Sequence, residues 1–451
     1  MSVLFTQWQK EDFRRLLAAP GEDGALFSPG VPRAEVYATA AWLRARLPGR
    51  GAGTPVCLAT EDRSLIAAAL LASLAGGPVF ILPYAFSRSA LEGLIEATGA
   101  DLAVVDQVRD LPAGMRSLRP ERGEAPPLDS YQASPEQEVL RLYSGGTTGR
   151  PQIWSKTGVN IFGESFFLAK RFQVVATDRI VATISPCHIY GLLYSVTLPL
   201  VSGAVVLATT PSYPEEITRL VQSWQATLLI SVPAHYRALR EKTLEAPSLR
   251  LAFSSAGPLA ESDNSRFTAN NAVEIVEVYG STETGGIALR SRYRHEEGFT
   301  PYPTIAWRGN GRLQVRSPYL SPDLAVDSEG FFTTGDRVEA DGDSGFSLKG
   351  RTDAITKVAG NRVDLEEISA FVKTFPGVGD CLVLAIEDGG GRQNRIVAVV
   401  EGEAVDSQKL QQALARRFEP YARPRTIKMV GRLPVKENGK YDRLEILGYF
   451  R

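Results

Sequence analysis

Residues 55–83 read PVCLATEDRSLIAAALLASLAGGPVFILP. PVCLAT (55–60) is a short apolar run suited to a buried strand, the Ala/Leu-rich stretch 64–75 reads as a helix, and PVFILP (78–83) reads as the next strand. Two apolar strands joined by a helix imply a parallel sheet covered on both faces. Reading outward, SALEGLIEAT from Ser89 is again helical, and DLAVVD (101–106) is a further strand. The strand signature returns in RIVATIS (179–185), AVVLAT (204–209), TLLISV (227–232) and EIVEVYG (274–280). The expectation is an α/β fold: a large, layered N-terminal body with mostly parallel sheets.

Residues 107–137 are rich in Pro, Arg, Glu and Gly and carry little periodicity, so they read as a surface excursion. From Gly350 the pattern changes. DLEEISAFVKTF is a helix, CLVLAIED and RIVAVVE are paired strands, and SQKLQQALARRF is a second helix. That is a small α+β unit. The expected division is 1–352 for the N-terminal domain and 353–451 for the C-terminal one.

The chain has 451 residues, more than one core normally supports. Its net charge of −1 gives no reason to expect nucleic-acid or membrane binding. Cys57, Cys187 and Cys381 fit neither a zinc spacing nor a disulfide framework, which points to a reducing, cytoplasmic setting. The N-terminus lacks the apolar core of a signal peptide. The longest apolar run, around Leu65 to Leu82, is interrupted by Gly76, Gly77 and Pro78, so no membrane span is expected.

Residues 143–151, Tyr-Ser-Gly-Gly-Thr-Thr-Gly-Arg-Pro, follow an apolar strand. Gly145, Gly146 and Gly149 let the backbone approach a ligand, and Ser144, Thr147 and Thr148 add hydroxyls. Such a nest suits phosphate oxygens. It is not a Walker loop, because Gly149 precedes Arg150-Pro151 and not Lys-Ser/Thr. A flexible surface turn is the bland alternative.

This loop resembles that of the adenylate-forming superfamily of acyl-CoA synthetases, aryl-acid ligases and nonribosomal adenylation domains. Gln152 stands where that family usually has lysine, and Lys156, four residues on, is a candidate to compensate. Six further stretches match in the family's order. Pro186-Cys187-His188-Ile189-Tyr190-Gly191 resembles the acyl-pocket element, with His188 as a gate near the thiol channel. Ser254-Ser255-Ala256-Gly257-Pro258-Leu259 resembles the loop between acyl pocket and adenine. In Val278-Tyr279-Gly280-Ser281-Thr282-Glu283 the resemblance implies that Tyr279 stacks on adenine, Thr282 contacts the α-phosphate and Glu283 holds Mg²⁺. Asp336 of Thr333-Thr334-Gly335-Asp336 would accept from the ribose hydroxyls. Arg351 of Gly350-Arg351-Thr352-Asp353 would contact the ribose, and Asp353 would be the hinge of a mobile C-terminal domain. Lys440, in Leu433-Pro434…Gly439-Lys440, would be the catalytic lysine. Taken singly, several of these stretches read as capping turns or solvated charges.

The resemblance implies that ATP and Mg²⁺ convert a carboxylic acid to an acyl-AMP, which then passes its acyl group to a thiol. Residues 184–194 contain no acidic group to pair with an α-amino group, so an aromatic acid is the first expectation and an aliphatic acid the second. A degenerate ligase that only binds an adenylate, and an oxidase of the luciferase type, are the rival classes. The chain ends eleven residues after Lys440, so the thiol is expected on a separate molecule, a carrier protein ahead of CoA. Residues 416–443 carry nine basic and three acidic side chains, a face suited to either anionic donor. The chain is short for the family and looks like the compact standalone ligases of polyketide and aryl-polyene pathways.

Overall fold

A computed structural model describes residues 8–450 apart from 9, 19–23, 29, 52, 122, 124, 145–151, 310, 343–344, 353–354, 359–360, 388–393 and 437–440. The contacts divide the chain into two compact units, one of residues 1–306 with 316–332 and one of 307–315 with 333–451.

The first unit is α/β, with two large sheets among the described residues. The six-stranded sheet has the order Arg116–Leu118, Leu102–Val104, Val56–Leu58, Phe80–Pro83, Glu138–Ser144, Gln152–Thr157. Its pairings are parallel except the last. The expected strand–helix–strand of 55–83 is its centre. The connecting helix, Arg63–Leu74, starts where the Asp62 side chain accepts from the Leu65 N–H. Nearly all its side chains are buried, which explains why it shows an apolar run with no amphipathic stripe. The expected surface excursion contributes Arg116–Leu118 as an edge strand, invisible in sequence because its residues are mostly exposed.

The nine-stranded sheet holds six parallel strands at its centre: Ala25–Ser28, Val205–Leu207, Arg179–Ala182, Leu228–Ser231, Leu251–Ser254 and Ile275–Ser281. Antiparallel strands close both edges. Ile180, Ala182, Leu228, Leu229 and Ile230 are wholly buried, as expected for strands covered on both faces.

The second unit contains the expected small α+β fold. Asp380–Glu387 pairs antiparallel with Asn394–Glu401, and Thr426–Val430 adds a parallel edge strand. Alternate residues serve opposite faces. Cys381, Val383, Ile396 and Ala398 pack with Ile368, Val372, Leu410 and Leu414 of the two helices. Leu382, Leu384, Val397 and Val399 pack with Leu433 and Ile446. The hairpin of Asp336–Asp341 and Gly345–Arg351 also belongs to this unit, tied on by the Arg337–Asp364 ion pair. The boundary at 352/353 marks an expected pivot; the compact units mark where contacts concentrate, and the hairpin's charges place it with the residues that follow.

Candidate active site

In parallel α/β sheets, ligands gather beyond the carboxyl ends of the strands. The motif residues of the first unit lie there. Leu251–Ser254 runs into Ser255-Ala256-Gly257, Ile275–Ser281 carries Tyr279 and Gly280, and Arg179–Ala182 leads to Ser185 and His188. Glu138–Ser144 leads to the glycine-rich loop. Gly145, Gly146, Thr147, Thr148, Gly149 and the Ser144 side chain lie outside the described residues, as do Asp353 and Lys440.

Ser255 Oγ donates to the Val278 carbonyl at 2.8 Å and so ties its loop to the strand carrying Tyr279. Ala256 sits at φ 70°, a left-handed conformation that a non-glycine residue adopts at some strain, and such strain gathers at ligand-binding turns. The Tyr279 ring packs on Phe299, centroids 5.6 Å apart. Phe299 in turn lies under the Arg290 guanidinium at 4.4 Å, and Arg290 is fixed by buried Glu277 at 2.8 Å. One face of Tyr279 is therefore propped by a chain of contacts that ends in a buried ion pair.

Thr282 and Glu283 form the tip of a tight hairpin. Gly280 pairs with Gly286 and Ser281 with Gly285, after a bulge at Tyr279/Gly280. A Cβ on Gly280 would collide with the Gly285 carbonyl, so the motif needs glycine here. Ser281 Oγ and Thr284 Oγ1, 2.9 Å apart, close the turn. Glu283 is partly exposed, and its carbonyl accepts from Ser321 N at 2.8 Å and from Lys156 Nζ at 3.3 Å.

His188 is partly buried and caps the short helix Ile189–Leu192. Gly191 is required three residues later, since a Cβ there would run into the Ser185 carbonyl. That close approach accounts for the Pro-x-His-x-x-Gly spacing. Ser185 Oγ also donates to Glu61 Oε1 at 2.8 Å, joining loops from the two sheets. The Thr183 hydroxyl lies 2.8 Å from both Ser231 Oγ and His235 Nδ1. Sequence reading missed His235; its only signal was Pro233 opening a helix directly after the strand Leu228–Ser231.

Lys156 differs from the sequence expectation. It is 1% exposed, and its ammonium is committed to the carbonyls of Glu283 and Tyr319, the second at 3.4 Å. It supports the hairpin from within and does not stand in for the loop lysine that Gln152 replaces. Burial pushes it down to about 8, against the pull of Glu164, Glu283 and Asp323. Glu164 is equally buried, and burial pushes it up to about 7 while the Gly286 N–H and Lys156 oppose. Burial also pushes the thiols of Cys57, Cys187 and Cys381 up to about 12, so none is poised as a nucleophile.

In the second unit two separate motifs meet on one hairpin. Asp336 pairs in register with Arg351, whose Nη1 lies 3.2 Å from Asp336 Oδ1. Thr334 Oγ1 accepts from the Asp336 N–H, and Glu366 accepts from the Arg351 N–H. Gly350 has φ 91°, and a side chain there would strike the Glu366 carboxylate.

The AMP-binding enzyme family matches residues 33–308, and the AMP-binding enzyme C-terminal domain matches residues 367–440. The chain belongs to the AMP-binding enzyme family. This AMP-binding enzyme is 27% identical over 454 residues to anthranilate–CoA ligase of Pseudomonas aeruginosa, with 87% of this chain and 86% of the relative covered. It is 27% identical over 359 residues to a 3-hydroxybenzoate/4-hydroxybenzoate–CoA ligase of Thauera aromatica, covering 72% and 68%. Its fold matches ATP-bound MatB from Rhodopseudomonas palustris with a TM-score of 0.80 at 19% identity, covering 98% of this chain and 99% of that one. Among the described residues no helix is long and apolar enough to cross a membrane.

Proposed function

We propose that the enzyme is an acid–thiol ligase that activates an aromatic carboxylic acid with ATP and transfers it to CoA. The observation that carries this reading is the hairpin tip of Thr282 and Glu283 beside Tyr279 and the Ser255–Gly257 loop, at the carboxyl ends of parallel strands. That arrangement offers an aromatic face for a base, hydroxyls for phosphate, and one accessible carboxylate.

In the first half-reaction a carboxylate oxygen of the acid attacks the α-phosphorus of ATP. The bond to the β-phosphate bridging oxygen breaks, pyrophosphate leaves, and a mixed anhydride forms. Lys440 is assigned to this step from its sequence motif, as a cation offsetting charge on the attacked phosphoryl group. In the second, the thiol sulfur attacks the acyl carbon and AMP leaves. Asp336 and Arg351 are assigned to the ribose, and His188 to the route of the thiol. Asp353 is assigned as the pivot between the two half-reactions.

Mg²⁺ fits the donor set. It is held by one or two carboxylates together with nucleotide phosphates and keeps several waters. Glu283, a hard oxygen donor on a fixed turn, meets that need, and among the described residues no cluster of three His, Cys, Asp or Glu could cage an ion. When bound, the ion would neutralise phosphate charge.

The aromatic preference rests on the absence of an acidic residue in 184–194 and on relatives named for anthranilate and hydroxybenzoates. Those CoA ligases also move the donor from carrier protein to CoA. Of the basic run, Arg423 is committed to the Phe418 and Ala415 carbonyls, whereas Lys428 and Arg432 are exposed. The test is pyrophosphate release over a panel of carboxylic acids, followed by thioester formation with CoA and with carrier proteins. Release with benzoate-type acids and transfer to CoA are expected, the transfer weakening with salt and in Lys428→Glu/Arg432→Glu. No release with any acid overturns the ligase reading; transfer to a carrier alone overturns the donor.

A further inference from the structure

Behind the Thr282–Glu283 hairpin lie two charged side chains that the proposed chemistry does not use. Lys156 comes from the last strand of the six-stranded sheet, Gln152–Thr157, and Glu164 from the start of the helix Glu164–Phe172. Each is 1% exposed. Burying an ammonium and a carboxylate is costly, and an apolar pair would fill the space without that penalty. Their hydrogen bonds show where they act. Lys156 Nζ donates to the carbonyl of Glu283 at the tip of the hairpin, and Glu164 Oε1 accepts from the Gly286 N–H on its returning arm, at 3.0 Å. Among the described residues the second carboxylate oxygen of Glu164 has no hydrogen-bond partner, and Lys156 acts on this carboxylate through space. Gly285 and Gly286 are shaped to the carboxylate: a Cβ on either would fall within 2.7 Å of a Glu164 oxygen. The strand that carries Lys156 also continues directly from the glycine-rich loop.

We propose that Lys156, together with Glu164, is a positioning residue that fixes the Glu283 backbone, and thereby aims the Glu283 carboxylate at a metal-bound nucleotide triphosphate. This rests on the ligase reading for the role of Glu283, but it is testable by binding alone. A Lys156→Met/Glu164→Gln variant removes both buried charges together and avoids stranding either one. Calorimetry compares AMP with the non-hydrolysable α,β-methylene-ATP, and a Mg²⁺ titration is run at fixed analogue. The expected result is a melting temperature near that of the unaltered chain and AMP binding within about twofold. Analogue binding should weaken by about tenfold, with a higher Mg²⁺ midpoint, as for loss of a group that orients a metal ligand. Lys156→Arg should recover part of the loss, since it keeps the charge and the donors. If the double variant does not fold, Lys156→Arg carries the test through its own shift in Mg²⁺ midpoint. An unchanged analogue affinity and Mg²⁺ midpoint, or equal weakening of AMP and analogue, overturns the proposal. A chain that activates no acid yet shows the split between AMP and analogue loses the ligase reading and keeps this one.

Discussion

The hairpin of residues 275–290 displays Tyr279, Thr282 and Glu283, and the hairpin of residues 336–351 displays Asp336 and Arg351. Both need glycines, but they are held by different means. The first is fixed from within, by Lys156, Glu164, the Ser321 N–H and the Glu277–Arg290 pair. The second is held by charges nearer the surface, Asp336–Arg351 at 3.2 Å and Lys349–Glu339 at 2.7 Å, with Lys349 and Glu339 more than half exposed. Buried hydrogen bonds to charged groups resist salt and are expensive to break, whereas exposed pairs are screened and weak. One hairpin is held by buried groups; the other is held by pairs nearer the surface.

The strongest way to sharpen this contrast is to ask whether the second unit serves one half-reaction only. Lys440→Ala should lower acyl-AMP formation by about 10²-fold or more, measured by pyrophosphate exchange, while thioester formation from pre-made acyl-AMP is retained. Equal loss in both assays would show that the unit has no such division of labour.

Next in size is a glycine comparison. Gly286→Ala should destabilise the fold by about 3 kcal/mol, because the new methyl meets both the Glu164 carboxylate and the Tyr302 hydroxyl. Gly342→Ala, at the turn of the other hairpin, meets nothing within 4 Å and should cost only about 1 kcal/mol from its φ of +61°. Urea unfolding of both variants measures the difference; similar values would remove the contrast in packing.

Asp336→Asn should raise the KM for ATP by roughly tenfold by weakening one charge-assisted hydrogen bond. The steady-state KM at low and moderate salt is the measurement, and the gap to the unaltered chain should narrow with salt. A gap independent of salt would mean that Asp336 acts as a buried group.

The smallest effect is in pH. The Glu164 carboxyl titrates near 7 in the folded chain against an ordinary value of 4.5. Between these the folded state holds the proton that the unfolded state has lost, so this group makes stability fall as pH rises from 4.5 to about 7. Glu164→Gln removes that contribution, and its melting temperature should vary less with pH over this window than that of the unaltered chain.

The first hairpin's signature was legible, and so was most of the frame around it. Every apolar run from 55 to 280 read as a strand became one, because a strand buried on both faces has to be apolar throughout. The alternating faces of 380–401 were readable for the same reason. What stayed hidden is polar. Arg116–Leu118, Ala306–Gly309 and Asp336–Asp341 carry mostly exposed or half-buried residues, and their pairing leaves little apolar trace. Lys156 reads by its charge as a candidate to compensate for Gln152; its burial is set by tertiary neighbours, the Glu283 carbonyl and the nearby Glu164 carboxylate, that no local pattern shows. Glu164 and His235 lie on helices, Glu164–Phe172 and Pro233–Leu239, that carry no motif to single them out.

The three cysteines carry a consequence for chemical self-protection. An acyl-adenylate is an indiscriminate acylating agent, and thiolates are its best biological targets. Burial raises each thiol well above its ordinary range, so all three stay in the unreactive protonated form at neutral pH. Cys187 precedes His188 in the chain, and its sulfur is turned onto the Thr60 carbonyl at 3.6 Å. On the proposed reaction, the enzyme's own thiols are thereby withheld from the reactive anhydride, which is left to the thiol of the acyl acceptor.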